Sequence, residues 1–148
     1  MSQREVSVRV FLFDDREEVV TAIKRALSAE PGLEVVGTQT QSQELVEQVL
    51  DAQPDILIVD YQLQNRSCIS LVRSLRNYQN KPKILCFAGY ASHAQIRAFF
   101  RAGGAGMLFK GNSIDSLIEA IHVVADGGQY IDKSIPEFVT GSVRSQSL

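Results

Sequence analysis

Residues 54–60 read Pro54-Asp55-Ile56-Leu57-Ile58-Val59-Asp60. Four consecutive apolar residues, three of them β-branched, follow a proline and end directly in a carboxylate. That is a short strand with punctuation on both sides. The apolar run is continuous rather than alternating, so the strand is covered on both faces, as in a parallel sheet. Ile84-Leu85-Cys86-Phe87, after Pro82, repeats the pattern. Five segments of this kind occur: Val6–Phe13, Leu33–Gly37, Asp55–Val59, Lys83–Phe87 and Ala105–Phe109.

Segments of helical spacing lie after each strand. Val19, Val20, Ile23, Ala26 and Leu27 make one stripe, and Leu45, Val46, Val49 and Leu50 another. Ile69, Val72 and Leu75 follow, then Ile96, Phe99 and Phe100, then Ile114, Leu117, Ile118, Ile121, Val124 and Ala125. Pro31-Gly32 ends the first helix, Asn112 or Ser113 caps the last, and Gly127-Gly128 ends it. Strict alternation of five strands with five helices implies right-handed crossovers and a parallel sheet with helices on both faces. Residues 6–131 form one domain on this reading. Residues 132–148 are expected to be a C-terminal tail or truncated linker, ending in the Ser-rich Gly141–Leu148.

Composition narrows the class. The chain has 148 residues, which suits one domain and is too short for an eight-fold β/α barrel. With 45% hydrophobic and 22% charged residues it is a folded globule. Fifteen basic against 17 acidic side chains give a net charge of −2, so no nucleic acid or anionic membrane is expected on this chain itself. No apolar run approaches the ~20 residues that span a bilayer. Residues 1–5 lead straight into the first strand with no signal-peptide core. The two cysteines, Cys68 and Cys86, make neither a metal set nor a disulfide framework. The expected compartment is a reducing cytoplasm.

Sites in an open α/β sheet lie at the carboxyl ends of the strands. Those ends carry Asp14-Asp15, Asp60, Ala88-Gly89 and Lys110. Each charge taken alone is a loop residue or, for Asp15, a helix cap. Together they place three carboxylates and a lysine on one edge. Such carboxylates repel one another and need a cation to stay ionised, or one of them must hold a proton. Hard oxygen ligands suit Mg²⁺, which binds through one or two carboxylates plus a phosphate. An aspartate can act as a nucleophile and become an acyl phosphate, with lysine and Mg²⁺ neutralising charge during phosphoryl transfer.

At these residues the chain resembles the response-regulator receiver domains of bacterial two-component signalling. The resemblance covers residues 6–131 and rests on Val10-Phe11-Leu12-Phe13-Asp14-Asp15, on Pro54–Asp60, and on Gly104-Ala105-Gly106-Met107-Leu108-Phe109-Lys110. It implies a flavodoxin-like (βα)5 fold with strand order 2-1-3-4-5. It implies phosphotransfer from a histidine kinase or phosphotransfer protein to Asp60. It assigns Mg²⁺ to Asp15 directly, Asp14 through water, Asp60 and the backbone carbonyl of Gln62, and phosphoryl contact to Lys110. Ala125-Asp126-Gly127-Gly128-Gln129-Tyr130, at the exit of the last helix, resembles receivers joined to LuxR/NarL-type helix-turn-helix domains. DNA contact is therefore expected only through an output domain outside this sequence, with the native protein continuing past Leu148; the alternative is a stand-alone receiver. Related receivers often dimerise through the fourth helix, fifth strand and fifth helix, so a homodimer there is a further expectation.

The sequence departs from that family at its readout positions. Ala88 stands where a Ser or Thr hydroxyl usually meets the phosphoryl group, and Met107 where an aromatic switch residue is usual. Gln64 and Cys68 replace the usual Pro and Gly after the phosphoacceptor. Ala88 cannot donate to a phosphoryl oxygen, so coupling between phosphate and surface is expected to weaken, unless the Gly89 N–H or the Tyr90 hydroxyl substitutes. Gln62, Gly89 and Tyr90 are expected to tune the lifetime of the phosphate. The alternative is a phosphorylation-independent pseudo-receiver that binds a partner or dimerises. An aspartyl-phosphate hydrolase needs an acid at position 62, where Gln stands. A flavin-type binder needs a phosphate loop after the first strand, and none is there.

His93 and His122 read as helix-surface positions, and Arg16 as a first-turn residue beside the acid pair. Adjacent Phe99 and Phe100 are expected not to point inward together, leaving one to thicken the surface of the fourth helix.

Overall fold

A computed structural model describes residues 7–63 and 66–146. Val6, Gln64 and the terminal residues 147–148, on which some sequence expectations fall, lie outside the described residues. The chain runs β1 (Val8–Phe13), α1 (Glu17–Ser28), β2 (Leu33–Gln39), α2 (Leu45–Ala52) and β3 (Ile56–Val59). Next come β4 (Gln62–Leu63), β5 (Arg66–Ser67), α3 (Cys68–Leu75), β6 (Lys83–Ala88) and α4 (His93–Ala102). β7 (Gly106–Phe109), α5 (Ile114–Ala125), β8 (Tyr130–Ile131) and α6 (Glu137–Gln146) complete it.

The main sheet has the order β2-β1-β3-β6-β7-β8, and every pairing in it is parallel. The five strands read from the sequence thus lie in the expected 2-1-3-4-5 order. A sixth, two-residue strand extends the edge, with Tyr130 opposite Gly106 and Ile131 opposite Met107.

Alternate residues along each strand feed two separate cores. Leu57 and Val59 join Phe11, Phe13, Cys86 and Met107 on one face, beneath α2, α3 and α4. Ile56 and Ile58 join Val10, Leu12, Leu85 and Leu108 on the other, beneath α1 and α5. β3 is buried at all four positions, which is why its sequence shows no alternation.

Helix ends follow local chemistry. Ser92 and Gln95 form a reciprocal capping box on α4, and Gly103, at φ 116°, ends that helix. Ser113 caps α5 by accepting from the Ser116 N–H.

Two expectations change here. The segment after Ile131 is a turn and a helix, with Ile135, Val139 and Thr140 buried and α6 seated against α4. Ile135, in the turn, and Val139, in α6, are the only apolar pair this segment buries among the described residues, too short a signal to outweigh the Ser-rich run beside it. Phe99 and Phe100 are both buried and meet edge to face at 5.3 Å. They share one core with Ile135 and Val139, so α6 supplies cover that α4 would otherwise lack.

Candidate functional site

β1 and β3 are neighbours and β7 lies one strand further, beyond β6, and at the carboxyl edge they deliver Asp14, Asp60 and Lys110 to one point. The Lys110 Nζ donates to Asp14 Oδ2 at 2.7 Å and to Asp60 Oδ2 at 2.6 Å. All three side chains are at least four-fifths buried. Burial works against the ammonium, but the hydrogen bonds and charges of Asp14 and Asp60 outweigh it and hold its pKa above the ordinary lysine value. The remaining oxygens are also held. Asp14 Oδ1 accepts from the Arg16 N–H at 2.9 Å, which fixes the entry to α1. Asp60 Oδ1 accepts from the Gln62 N–H at 3.2 Å. Sequence separations of 96 and 50 residues close on one lysine, an arrangement only the parallel sheet order makes.

Asp15 follows Asp14 and is partly exposed. Among the described residues, no three His, Cys, Asp or Glu side chains are grouped to hold one ion. Asp14 and Asp60 are brought together as the sequence predicts, with Lys110 rather than a third carboxylate between them. The donor chemistry still fits Mg²⁺. It uses carboxylate oxygens, needs only one or two of them, and completes its shell with water and phosphate. Three carboxylates against one ammonium leave a formal charge of −2, equal and opposite to that ion.

Ala88 and Met107, the departures noted in the sequence, lie on the neighbouring strands β6 and β7. Ala88 is fully buried, and its carbonyl accepts the Lys110 N–H at 2.7 Å. Met107 is fully buried opposite Cys86. Neither reaches solvent. Tyr90, by contrast, is 74% exposed, and a Cβ built on Gly89 meets nothing within 4 Å. Gln62 is exposed at the start of a small β4–β5 hairpin in which it pairs with Ser67. That hairpin was not legible in the sequence, because two-residue strands carry no periodicity. Arg16 turns to Glu18, at 3.2 Å on the exposed surface. His93 and His122 are exposed, and His93 meets the Phe138 ring edge on at 5.5 Å. Cys68 and Cys86 are free, buried thiols under the site, and burial pushes the Cys86 thiol well up. Asp132, buried and bonded to Phe109 and Asn112 on either side of Lys110, had one sequence signal, a carboxylate straight after an apolar pair.

The family description "Response regulator receiver domain" matches residues 10–122, most of the chain. The chain belongs to the response regulator receiver family. Transcriptional regulatory protein DegU of Brevibacillus brevis is 28% identical over 131 residues, covering 88% of this chain and 56% of that protein. Response regulator GacA of Pseudomonas viridiflava is 26% identical, covering 88% and 61%. This receiver therefore spans less than two thirds of the length of these relatives. In fold it is similar to a LuxR-family two-component response regulator from Aurantimonas sp. SI85-9A1, with TM-score 0.79, 23% identity, and 95% and 98% coverage. It is likewise similar to the receiver domain of the putative response regulator NarL from Mycobacterium tuberculosis, with TM-score 0.77, 24% identity, and 82% and 98% coverage. The sequence resemblance and the family match agree on a signalling receiver. No helix among the described residues is long and apolar enough to cross a membrane.

Proposed function

We propose that Asp60 is the phosphoacceptor of this receiver, taking a phosphoryl group from a phosphohistidine of a histidine kinase or phosphotransfer protein. The observation that carries the reading is the Lys110 ammonium at 2.6 Å from Asp60 and 2.7 Å from Asp14. An Asp60 oxygen attacks phosphorus in line, the P–N bond breaks, and the imidazole keeps the bonding pair and takes a proton. Gln62 N–H orients the Asp60 carboxylate, and Lys110 is placed to follow the charge onto the phosphoryl oxygens. Mg²⁺, when bound, supplies the rest of the charge neutralisation. Asp14, Asp15, Asp60 and the Gln62 carbonyl would hold it. The exposed Gln62 and Tyr90 and the open Gly89 leave water a way to the acyl phosphate, so these three set its lifetime and the domain's self-dephosphorylation.

Because the chain spans about half to two thirds of its transcription-regulator relatives, we assign the output to a DNA-binding domain outside it, in the cytoplasm. A homodimer through α4, β7 and α5 competes with α6, which rests on α4. The test is intact mass after incubation with acetyl phosphate and Mg²⁺. One phosphoryl adduct is expected on the native protein and none on Asp60→Asn. No adduct on the native protein would return the reading to a phosphorylation-independent module.

A further inference from the structure

Asp132 is a buried carboxylate that the phosphoacceptor chemistry does not use. It is 4% exposed and lies outside the stretch that matches the family, residues 10–122. Its side chain accepts four hydrogen bonds, two on each oxygen. Oδ2 takes the Phe109 N–H and the Asn112 Nδ2, both at 2.9 Å. Oδ1 takes the Ser134 N–H at 2.8 Å and the Ser134 Oγ at 2.7 Å. One oxygen therefore grips the end of β7, and the other grips the turn into α6.

Each side of this clamp is anchored further. Phe109 precedes Lys110, whose own N–H is fixed to the Ala88 carbonyl at 2.7 Å. Asn112 closes the same turn by donating to the Phe109 carbonyl at 2.9 Å. On the other side the Ile135 N–H bonds the Asp132 carbonyl at 3.0 Å, and Ile135 and Val139 enter the core shared with Phe99 and Phe100 of α4. The residues named hold the carboxylate with neutral donors alone, each aimed by backbone already tied to the sheet or to α6. A charged acceptor with all its donors fixed in place transmits displacement instead of absorbing it.

We propose that Asp132 is a positioning residue that joins the Lys110 turn to helix α6, so that the placing of Lys110 over Asp60 and the seating of α6 on α4 are set together. The chemical consequence rests on the reading of Asp60 as phosphoacceptor. When Lys110 follows charge onto a phosphoryl group, its turn pulls on Asp132 Oδ2, and Oδ1 passes the shift to Ser134 and α6. This gives the domain a route from site to surface that needs neither a hydroxyl at 88 nor an aromatic side chain at 107.

The full chain is compared with Asp132→Asn and Asn112→Ala by amide hydrogen exchange and by the rate of phosphorylation with acetyl phosphate. Asn112→Ala touches only the β7 side of the clamp, yet exchange in α6 is expected to rise along with that of Phe109. Asp132→Asn is expected to raise both and to slow phosphorylation by about fivefold or more through a misplaced Lys110. Beryllofluoride is expected to shift the Ser134 and α6 amides of the native chain, and to lose that effect in Asn112→Ala. The proposal is overturned if Asn112→Ala leaves α6 exchange unchanged, or if Asp132→Asn loosens α6 while the Phe109 amide and the rate stay within about twofold. Should Asp132→Asn fail to fold, Asn112→Ala decides alone. A native chain that takes no phosphoryl group sinks the phosphoacceptor reading separately, because the exchange coupling between 109–112 and α6 is still read.

Discussion

At the scale of single residues, two buried polar groups have opposite fates. The Thr140 hydroxyl is buried with no hydrogen-bond partner among the described residues. Leaving it unpaired costs its desolvation, whereas a methyl of the same shape costs nothing of that kind. Thr140→Val is expected to raise stability by about 1 kcal/mol, read as a higher urea midpoint with an unchanged slope. Asp132 is satisfied instead. Burial works to raise its pKa, but the bonds from Phe109, Ser134 and Asn112 outweigh burial and hold it below the ordinary value. A carboxyl held low when folded binds protons more readily when unfolded. Its contribution is therefore complete above the unfolded value of about 4 and fades as pH falls through the folded value. The stability gap between the native chain and Asp132→Asn should be constant near neutrality and shrink in acid below about pH 4, measured by urea melts across pH.

At the scale of elements, α4 is held at both ends and along one side. Its first turn is fixed by Ser92 and Gln95, its outer side by α6, and its exit by Gly103 and Gly104. A Cβ on Gly104 would sit well inside van der Waals contact with the ring of Phe99, itself fully buried. Gly104→Ala is expected to cost about 1–3 kcal/mol by overpacking, seen as a fall in the thermal midpoint. Gly89 offers the control, since the space at its Cβ is open. The elements the sequence shows clearly are the long ones. β3 and β6 are continuous apolar runs because both faces are covered, and α1 and α5 carry stripes about two and a half and more than three turns long. β4, β5 and β8 are two residues each and exist only through their pairing partners.

At the scale of the whole molecule, the charged cluster and the two departures from the family pattern stand apart. The ion-pair cluster is complete, while the fully buried Ala88 and Met107 offer a phosphoryl group no hydroxyl and no movable ring. Restoring a hydroxyl with Ala88→Ser adds one hydrogen bond to a charged acceptor, about 1.5–3 kcal/mol. Beryllofluoride affinity is expected to rise by roughly tenfold or more in titration calorimetry, with the fold unchanged. No gain would mean that the Gly89 N–H already fills that place. The α4 surface is likewise decided at this scale. α6 rests there, so changes at the site reach a covered face, and a partner on that face must first displace a helix.

The sequence by itself determined the alternation of strands and helices, their order in the sheet, and the identities of Asp14, Asp60 and Lys110 at its carboxyl edge. Local periodicity and the handedness of parallel crossovers fix the alternation and the parallel sheet, while the strand order follows from the resemblance to receiver domains. Only the tertiary structure decided that Lys110 bridges two carboxylates while Asp15 stands beside them, that both phenylalanines of α4 are buried, and that Asp132 ties β7 to α6. Those facts depend on contacts between residues far apart in the chain, where distance and geometry, not residue type, choose the partner.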